Sequence, residues 1–318
     1  MIKMASRWIT LTEHILKEER KIPSATGRLT LILNQIAEAS KIIASHVKKS
    51  GLVDIQGATG QKNIYQEEVQ KLDSFSNDLL TDFLTELGYV NMIASEEIEK
   101  PIILNNSGEY SVFFDPLDGS SNIDTNINIG TIFSIYKNSN NKLQKGREQV
   151  ASGYIIYGSS VMFVYTCNNS VNGFTLDPSI GSFLLSHPNI KVPTTTSQYS
   201  INEGNFEFYD ENLKKYLIGL KKTPYRLRWV ASMVADVHRI LVKGGIFMYP
   251  ADKNVPEGKL RLMFEVNPLS LIIEKAGGKS FSISGSPLDI LPSDLHQRVP
   301  IIMGSQSEVE KYIKLQHN

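Results

Sequence analysis

Apolar residues recur at helical spacing in three successive stretches near the start of the chain. Thr10 and Glu13 have capping-box spacing before HILKEER, which predicts a short first helix. From Leu29 onward, Ile32, Leu33, Ile36, Ile43 and Val47 fall on one helical face, and Gly51 marks its stop. Val69, Leu72, Phe75, Leu79, Leu80, Phe83 and Leu87 predict a third helix ending at Gly88, with Asp73 beside its apolar stripe. The period then changes from helical to two. Alternating segments at 89–95, 110–115, 129–136, 152–157 and 160–167 predict a largely antiparallel sheet. Pro116 has no N–H to give a ladder, so the strand YSVFF is expected to stop with Asp115 at its end.

The second half mixes elements differently. YSINEG reads as a strand, VASMVADVHRILVKGG as a helix, and GIFMYPAD and LRLMFE as two more strands. Asn267-Pro268 then opens a helix that closes at AGG. The pattern is layered, mixed α and β. A Pro- and Thr-rich segment at 187–198 is the candidate border, giving an N-terminal α+β domain over 1–189 and a C-terminal α/β domain over 190–318. The length of 318 residues suits two domains, each with a proper core.

Composition narrows the function by exclusion. Lysine plus arginine equals aspartate plus glutamate at 33 each, so no net field draws nucleic acid or an anionic membrane, and any anion must be bound locally. Cys167 has no partner for an internal disulfide and lies in the apolar run VMFVYTC, which reads as core. Six scattered histidines offer no zinc spacing. The first 21 residues lack the apolar block of a signal peptide, and no apolar run approaches the ~20 residues that span a bilayer. The expectation is a soluble, cytoplasmic protein.

The candidate chemistry sits at strand ends. In FFDPLDGSSNID, Asp115 and Asp118 flank a proline, Gly119 lets a ligand approach the backbone, and Ser120 and Ser121 add hydroxyls and N–H groups suited to an anion. Such a stretch can hold a cation beside a phosphate, or be a plain Asx-type turn. Glu96 and Glu97 end a neighbouring strand, where adjacent carboxylates repel unless a cation or solvent separates them. Four carboxylates converging at strand ends favour a site for a hard cation such as Mg²⁺. On GKLRLMFE, strand alternation would put Lys259, Arg261 and Glu265 on one face, either as surface pairs or as a phosphate contact beside a metal carboxylate.

Several rivals fail on spacing. An EF-hand starting at Asp115 would need its glycine where Ser120 stands and its glutamate where Asn126 stands. AGGKS at 276–280 lacks the first glycine of a phosphate-binding loop, since Ile273 holds that place. GATGQKN lacks the Lys-Ser/Thr pair and reads as a lid. No G-x-S-x-G elbow stands out for serine-based hydrolysis.

Taken together and in order, DPLDGSSNID, SEE, KLDSFSND, NEG, SMVADVHR, GGIFMYPAD and GKLRLMFEVNP resemble the class I fructose-1,6-bisphosphatase family over nearly the whole chain. Inositol monophosphatases share D-P-x-D-G, but their later W-D pair is missing, since Trp8 and Trp229 precede Ile9 and Val230. The resemblance implies the layered α-β-α-β-α sandwich of the sugar phosphatase superfamily. It implies Mg²⁺, or Mn²⁺ in its place, at two to three positions per active site: Glu96, Asp115, Asp118 and Glu265 as ligands, the Leu117 carbonyl helping, and Glu67 at an additional position. Asp73 and Glu97 correspond to the pair that takes the proton from the attacking water, and Gly119, Ser120 and Ser121 to the cradle of the transferred phosphate.

Asn202, Tyr249 and Lys259 match residues that hold the sugar and its distal phosphate, with Arg228 reaching in from a neighbouring subunit of a homotetramer. Asn205 and Trp229 stand where many members carry tyrosines. The implied reaction is hydrolysis of the C1 phosphate of fructose 1,6-bisphosphate, a step towards glucose synthesis. The alternatives are sedoheptulose-1,7-bisphosphatase activity and a silent sugar-phosphate-binding regulator, the latter disfavoured because every matched carboxylate is present. The family's AMP site is matched unevenly. Thr26, Gly27, Leu29, Thr30 and Tyr110 are kept, whereas Arg28 replaces a glutamate, Glu109 a lysine and Lys137 an arginine, which argues against AMP binding.

Overall fold

The computed structural model describes residues 8–21, 26–50, 64–104, 107–140, 142–194, 196–283 and 285–316, with the backbone alone over 64–70. The expected lid at GATGQKN, the helix stop at Gly51 and the side chain of Glu67 lie outside the described residues. Three helices come first: α1 (Leu11–Glu19), α2 (Arg28–Val47) and α3 (Ile64–Thr85). Thr10 caps α1, its hydroxyl accepting from the Glu13 N–H at 3.2 Å.

Eight strands follow: β1 (Val90–Ser95), β2 (Ile102–Ile103), β3 (Tyr110–Asp118), β4 (Ile129–Lys137), β5 (Gln149–Tyr157), β6 (Val161–Thr166), β7 (Val171–Asp177) and β8 (Ser182–Ile190). They form one sheet in the order β2-β1-β3-β4-β5-β6-β7-β8, antiparallel throughout except for the parallel pair β1 and β3. A second sheet is built from β9 (Gln198–Ser200), β10 (Arg226–Leu227), β11 (Ile246–Tyr249), β13 (Lys279–Phe281) and β15 (Ile301–Gly304), in the order β10-β9-β11-β15-β13. The short strands β12 (Leu260–Arg261) and β14 (Arg298–Val299) pair separately. The later helices are α4 (Glu211–Lys221), α5 (Met233–Lys243), α6 (Asn267–Lys275) and α7 (Gln306–Gln316).

Burial shows how these elements stack. On β5, Ala151, Ile155 and Tyr157 join the core shared with α1 and α2, while Tyr154 and Ile156 join the core shared with α5 and α6. The second sheet alternates likewise: Phe247 and Met303 face α5 and α6, whereas Ile246, Met248 and Ile302 face α4 and α7. Both sheets are therefore covered on both faces, giving the α-β-α-β-α order.

Three sequence readings need correction. Pro116 does not end β3, because a register shift between Asp115 and Asp118 lets the strand resume past the residue that cannot donate. YSINEG is extended only to Ser200; the Asn202 side chain then accepts from the Gly204 N–H at 3.0 Å and starts a 3₁₀ turn over Glu203–Phe208. LRLMFE is a strand only at Leu260–Arg261. Leu262–Val266 forms a π-helical turn that runs straight into α6 and is buried on all sides, so apolar alternation there did not mean a pleat. Lys259, Arg261 and Glu265 accordingly do not share one strand face.

Candidate active site

The loop after β3 is folded by its own polar groups. Asp115 Oδ1 accepts from the Leu117 N–H at 2.9 Å, an Asx turn that aims the carboxylate inward, and Thr131 Oγ1 donates to the Pro116 carbonyl at 2.8 Å. Gly119 has φ +77 and starts the 3₁₀ turn Ser120–Asn122. A β-carbon there would lie 2.7 Å from the Ser232 side chain, so glycine is required for space as well as for conformation.

Glu265 reaches the same place from the π-helical turn. Its Oε2 accepts from the Arg261 N–H at 2.6 Å, four residues back, a contact that an extended strand would not allow. One carboxylate oxygen from each of Asp115, Asp118 and Glu265 lies within 4.8 Å of the others, and the three residues are only 4%, 7% and 6% exposed. Burial raises all three: Asp115 well above the usual range and Glu265 to about 8, each with repulsion from Asp118 added, and Asp118 to about 6 against the hydrogen bonds it accepts. A trio of buried oxygen donors that resists its own ionisation suits a hard divalent cation, and the site fits Mg²⁺ in donor type.

The other acidic candidates surround this trio. Glu97 is exposed at the turn after β1, and its charge reaches both Asp115 and Asp73. Asp73, on α3, is pushed up to about 7 by burial first and by Glu97 second, against a hydrogen bond from the Ser120 side chain. The structure thus brings Asp73, Glu97 and Ser120 together beside the trio. Glu96 instead forms an ion pair with the Arg261 guanidinium. Leu117 is buried in the core, and Ser121 stands exposed beside Ser120.

Of the sugar-side candidates, Asn202 and Tyr249 both lie near Tyr209. Tyr209 donates its hydroxyl to the Asn202 carbonyl at 2.6 Å, and burial, with the Asp252 carboxylate second, raises the Tyr209 hydroxyl above its usual value. Trp229 lies against Tyr249 with ring centroids 5.7 Å apart and stacks on Phe247. Asn205 donates to Asp252 at 3.1 Å. Lys259 and Arg228 are exposed, and Arg228 Nη1 donates to its neighbour's carbonyl at Leu227.

Two features escaped the sequence reading. One is the pairing of Arg261 with Glu96 in place of a phosphate contact. The other is the turn at 230–236, where Ser232 and the Val234 N–H donate to Asp118; the spacing of Ser232 and Asp236 at the start of a helix was the available signal. Away from the carboxylates, a cavity of about 530 Å³ opens beside Glu19, Thr30, Tyr110, Lys137, Arg147 and Cys167. Cys167 is half-buried, packed against the first core and lining this cavity.

Known proteins resemble the chain along nearly its whole length. Residues 9–188 match the family described as Fructose-1-6-bisphosphatase, N-terminal domain, and residues 192–317 match its C-terminal domain. The chain is 51% identical over 318 residues to a fructose-1,6-bisphosphatase class 1 of Persephonella marina, covering 98% of this chain and 99% of the relative. It is 50% identical to the one of a Sulfurihydrogenibium species, covering 97% and 98%. The holo crystal structure of Leishmania major fructose-1,6-bisphosphatase superposes with a TM-score of 0.90 at 38% identity, covering 98% of this chain and all of that one.

Proposed function

The chain belongs to the class 1 fructose-1,6-bisphosphatase family, and from that premise we propose how its residues divide the work of hydrolysis. As a member, it is a fructose-1,6-bisphosphate 1-phosphatase, a metal-dependent hydrolase that releases fructose 6-phosphate and phosphate in glucose synthesis. The observation that carries the assignment of roles is the buried trio Asp115, Asp118 and Glu265. These residues, with Glu96, the Leu117 carbonyl and Glu67, are proposed to hold two to three Mg²⁺ ions, Mn²⁺ serving in their place. Bound there, the ions supply charge neutralisation at the phosphoryl group and the leaving oxygen.

The remaining steps belong to side chains. Gly119, Ser120 and Ser121 cradle the transferred phosphate through N–H and hydroxyl donors, a role supported by the open backbone at Gly119. Asp73 and Glu97 take the proton from the attacking water as its oxygen bonds to phosphorus and the phosphorus–O1 bond breaks. Asp73, raised to about 7, is matched to accepting a proton near neutrality. Asn202, Tyr249 and Lys259 orient the sugar and its distal phosphate, with Arg228 contributed across a subunit boundary of a homotetramer. The domain border is proposed at 189/190, one residue before the end of β8, and a cytoplasmic location follows the family. No helix among the described residues is long and apolar enough to cross a membrane. AMP is proposed not to be an effector.

Phosphate release from fructose 1,6-bisphosphate, measured with and without Mg²⁺, tests this reading. Mg²⁺-dependent release is expected; silence under both conditions overturns it. A parallel assay on sedoheptulose 1,7-bisphosphate is expected to be slower.

A further inference from the structure

The turn that joins β10 to α5 is held in a conformation its sequence does not favour. Ala231 has φ +60, a left-handed geometry that costs an L-residue about 1–2 kcal/mol and persists only where surrounding contacts enforce it. Two side chains do so. Asn122, from the phosphate-cradle loop, donates its Nδ2 to the Ala231 carbonyl at 3.1 Å. Asp236, one turn into α5, reaches back so that both of its carboxylate oxygens accept from the Val230 N–H, each at 3.3 Å.

What this turn presents is the N-terminus of α5. Ser232 is the N-cap residue, yet its side chain makes no capping bond to its own helix. It donates instead to Asp118 Oδ2 at 3.2 Å, and the Val234 N–H donates to the same oxygen at 2.8 Å. Asp118 thus serves as a borrowed cap. Both bonds fall on Oδ2, and one carboxylate oxygen of Asp118 also belongs to the trio with Asp115 and Glu265. The contact has no slack, because Gly119 lies against the Ser232 side chain as closely as a missing β-carbon permits.

We infer that Asp236 is a positioning residue for the hydrolysis, locking the 230–234 turn so that Ser232 and the α5 N-terminus fix the orientation of the Asp118 carboxylate. Its chemistry fits the role better than that of a plain helix cap. Asp236 is only 2% exposed, and burying a carboxylate where a neutral acceptor would satisfy one N–H is unfavourable unless both oxygens are used. Burial raises it to about 6, opposed first by the Val230 N–H, so it is mostly ionised at neutral pH, with its charge beside the positive end of α5. The inference rests on the reading of Asp118 as a metal ligand.

The test uses the full chain with Asp236→Asn and Asp236→Ala, reading Mn²⁺ binding by calorimetry, phosphate release against Mg²⁺ concentration, and thermal unfolding. Residues that orient a metal ligand typically change metal affinity by ~10–100-fold when removed. Asp236→Ala is expected to weaken Mn²⁺ binding and raise the Mg²⁺ half-saturation by about tenfold or more, Asp236→Asn by less, with KM for the sugar moving less than either. Glycine adopts positive φ without support, so adding Ala231→Gly to Asp236→Ala is expected to recover part of the lost metal affinity. If Asp236→Ala does not fold, Asp236→Asn carries the test. Variants that melt earlier but keep wild-type Mn²⁺ affinity and Mg²⁺ half-saturation overturn the positioning role while leaving the hydrolase reading intact. A wild-type chain that neither binds Mn²⁺ nor releases phosphate overturns both.

Discussion

Arg261 joins two of the carboxylates expected to hold metal: its guanidinium pairs with Glu96, and its backbone N–H donates to Glu265 Oε2 at 2.6 Å. The pair is mostly buried, with side chains 25% and 16% exposed, and it places one positive charge against a dense set of negative ones. Removing that charge leaves the ligand-free protein with uncompensated buried carboxylates, whose cost is of the order of a few kcal/mol. Arg261→Met is therefore expected to melt earlier than wild type without metal, and Mg²⁺ is expected to raise its melting temperature by more. Calorimetry of both proteins with and without Mg²⁺ checks this; an equal metal-induced rise in both would count against it.

The proton acceptors make a kinetic prediction. Asp73→Asn and Glu97→Gln nearly preserve shape while removing a base, so each is expected to keep its fold and substrate binding and to lose ~10²–10⁴-fold in kcat. The pH profile separates their roles. Glu97 is one of the causes that hold Asp73 at about 7, so the residual activity of Glu97→Gln should keep its acidic limb but shift it to lower pH. A limb that stays put in Glu97→Gln removes the electrostatic coupling, and wild-type turnover in either variant removes the assigned role.

Stability without metal should depend on pH with a definite sign. Asp115, Asp118 and Glu265 all have raised folded-state values, so the folded chain holds more protons than the unfolded chain between the ordinary carboxylate range and about 8. Stability then falls as pH rises through that window. A bound cation replaces the protons, so saturating Mg²⁺ is expected to flatten the fall, and its effect on melting temperature should grow from pH 5 to pH 8. A metal effect independent of pH would show that the trio is not where the ion binds.

How much of this was legible in the sequence varied with the physics of each segment. The sheet strands β3 to β6 were readable because their side chains alternate between cores on the two faces of the sheet. β8 was not, since most of SFLLSHPNI lies exposed or half-exposed and carries little apolar rhythm. GKLRLMFE misled in the opposite direction: Leu260, Leu262 and Phe264 alternate, but the surroundings bury every residue from Leu262 to Val266 and a π-helical turn wins over the pleat. That turn brings Glu265 to the trio. The pair of Glu96 with Arg261 spans 165 residues, and neither residue's neighbours in sequence announce it. Asp115, Asp118 and Gly119 were legible because their local turn chemistry is also their function.

The last prediction concerns AMP. The cavity of about 530 Å³ beside α1 and α2 has room for a ligand, so any exclusion there is electrostatic rather than steric. The N-terminus of α2 would be the natural seat for a phosphate, with its free N–H groups and the positive end of its dipole. It is already engaged. Glu19 accepts from the Gly27 N–H through Oε1 at 2.7 Å and from the Thr30 hydroxyl through Oε2 at 2.7 Å, so the chain supplies its own carboxylate where an anion would dock. Arg28 is paired with Glu109 and also lies over the Tyr89 ring, 5.0 Å from its centroid, which leaves it poorly placed to compensate. An incoming phosphate would have to displace Glu19 and face Glu109, with Lys137 as a point charge at the wall. AMP added at saturating Mg²⁺ is therefore expected to leave phosphate release nearly unchanged. Glu19→Gln with Glu109→Lys frees the α2 N-terminus and reverses the repulsion, and this double variant is expected to gain measurable AMP binding by calorimetry. Strong inhibition of the wild-type chain by AMP, abolished by Thr30→Ala, would show that the phosphate displaces Glu19 with ease and would refute the prediction.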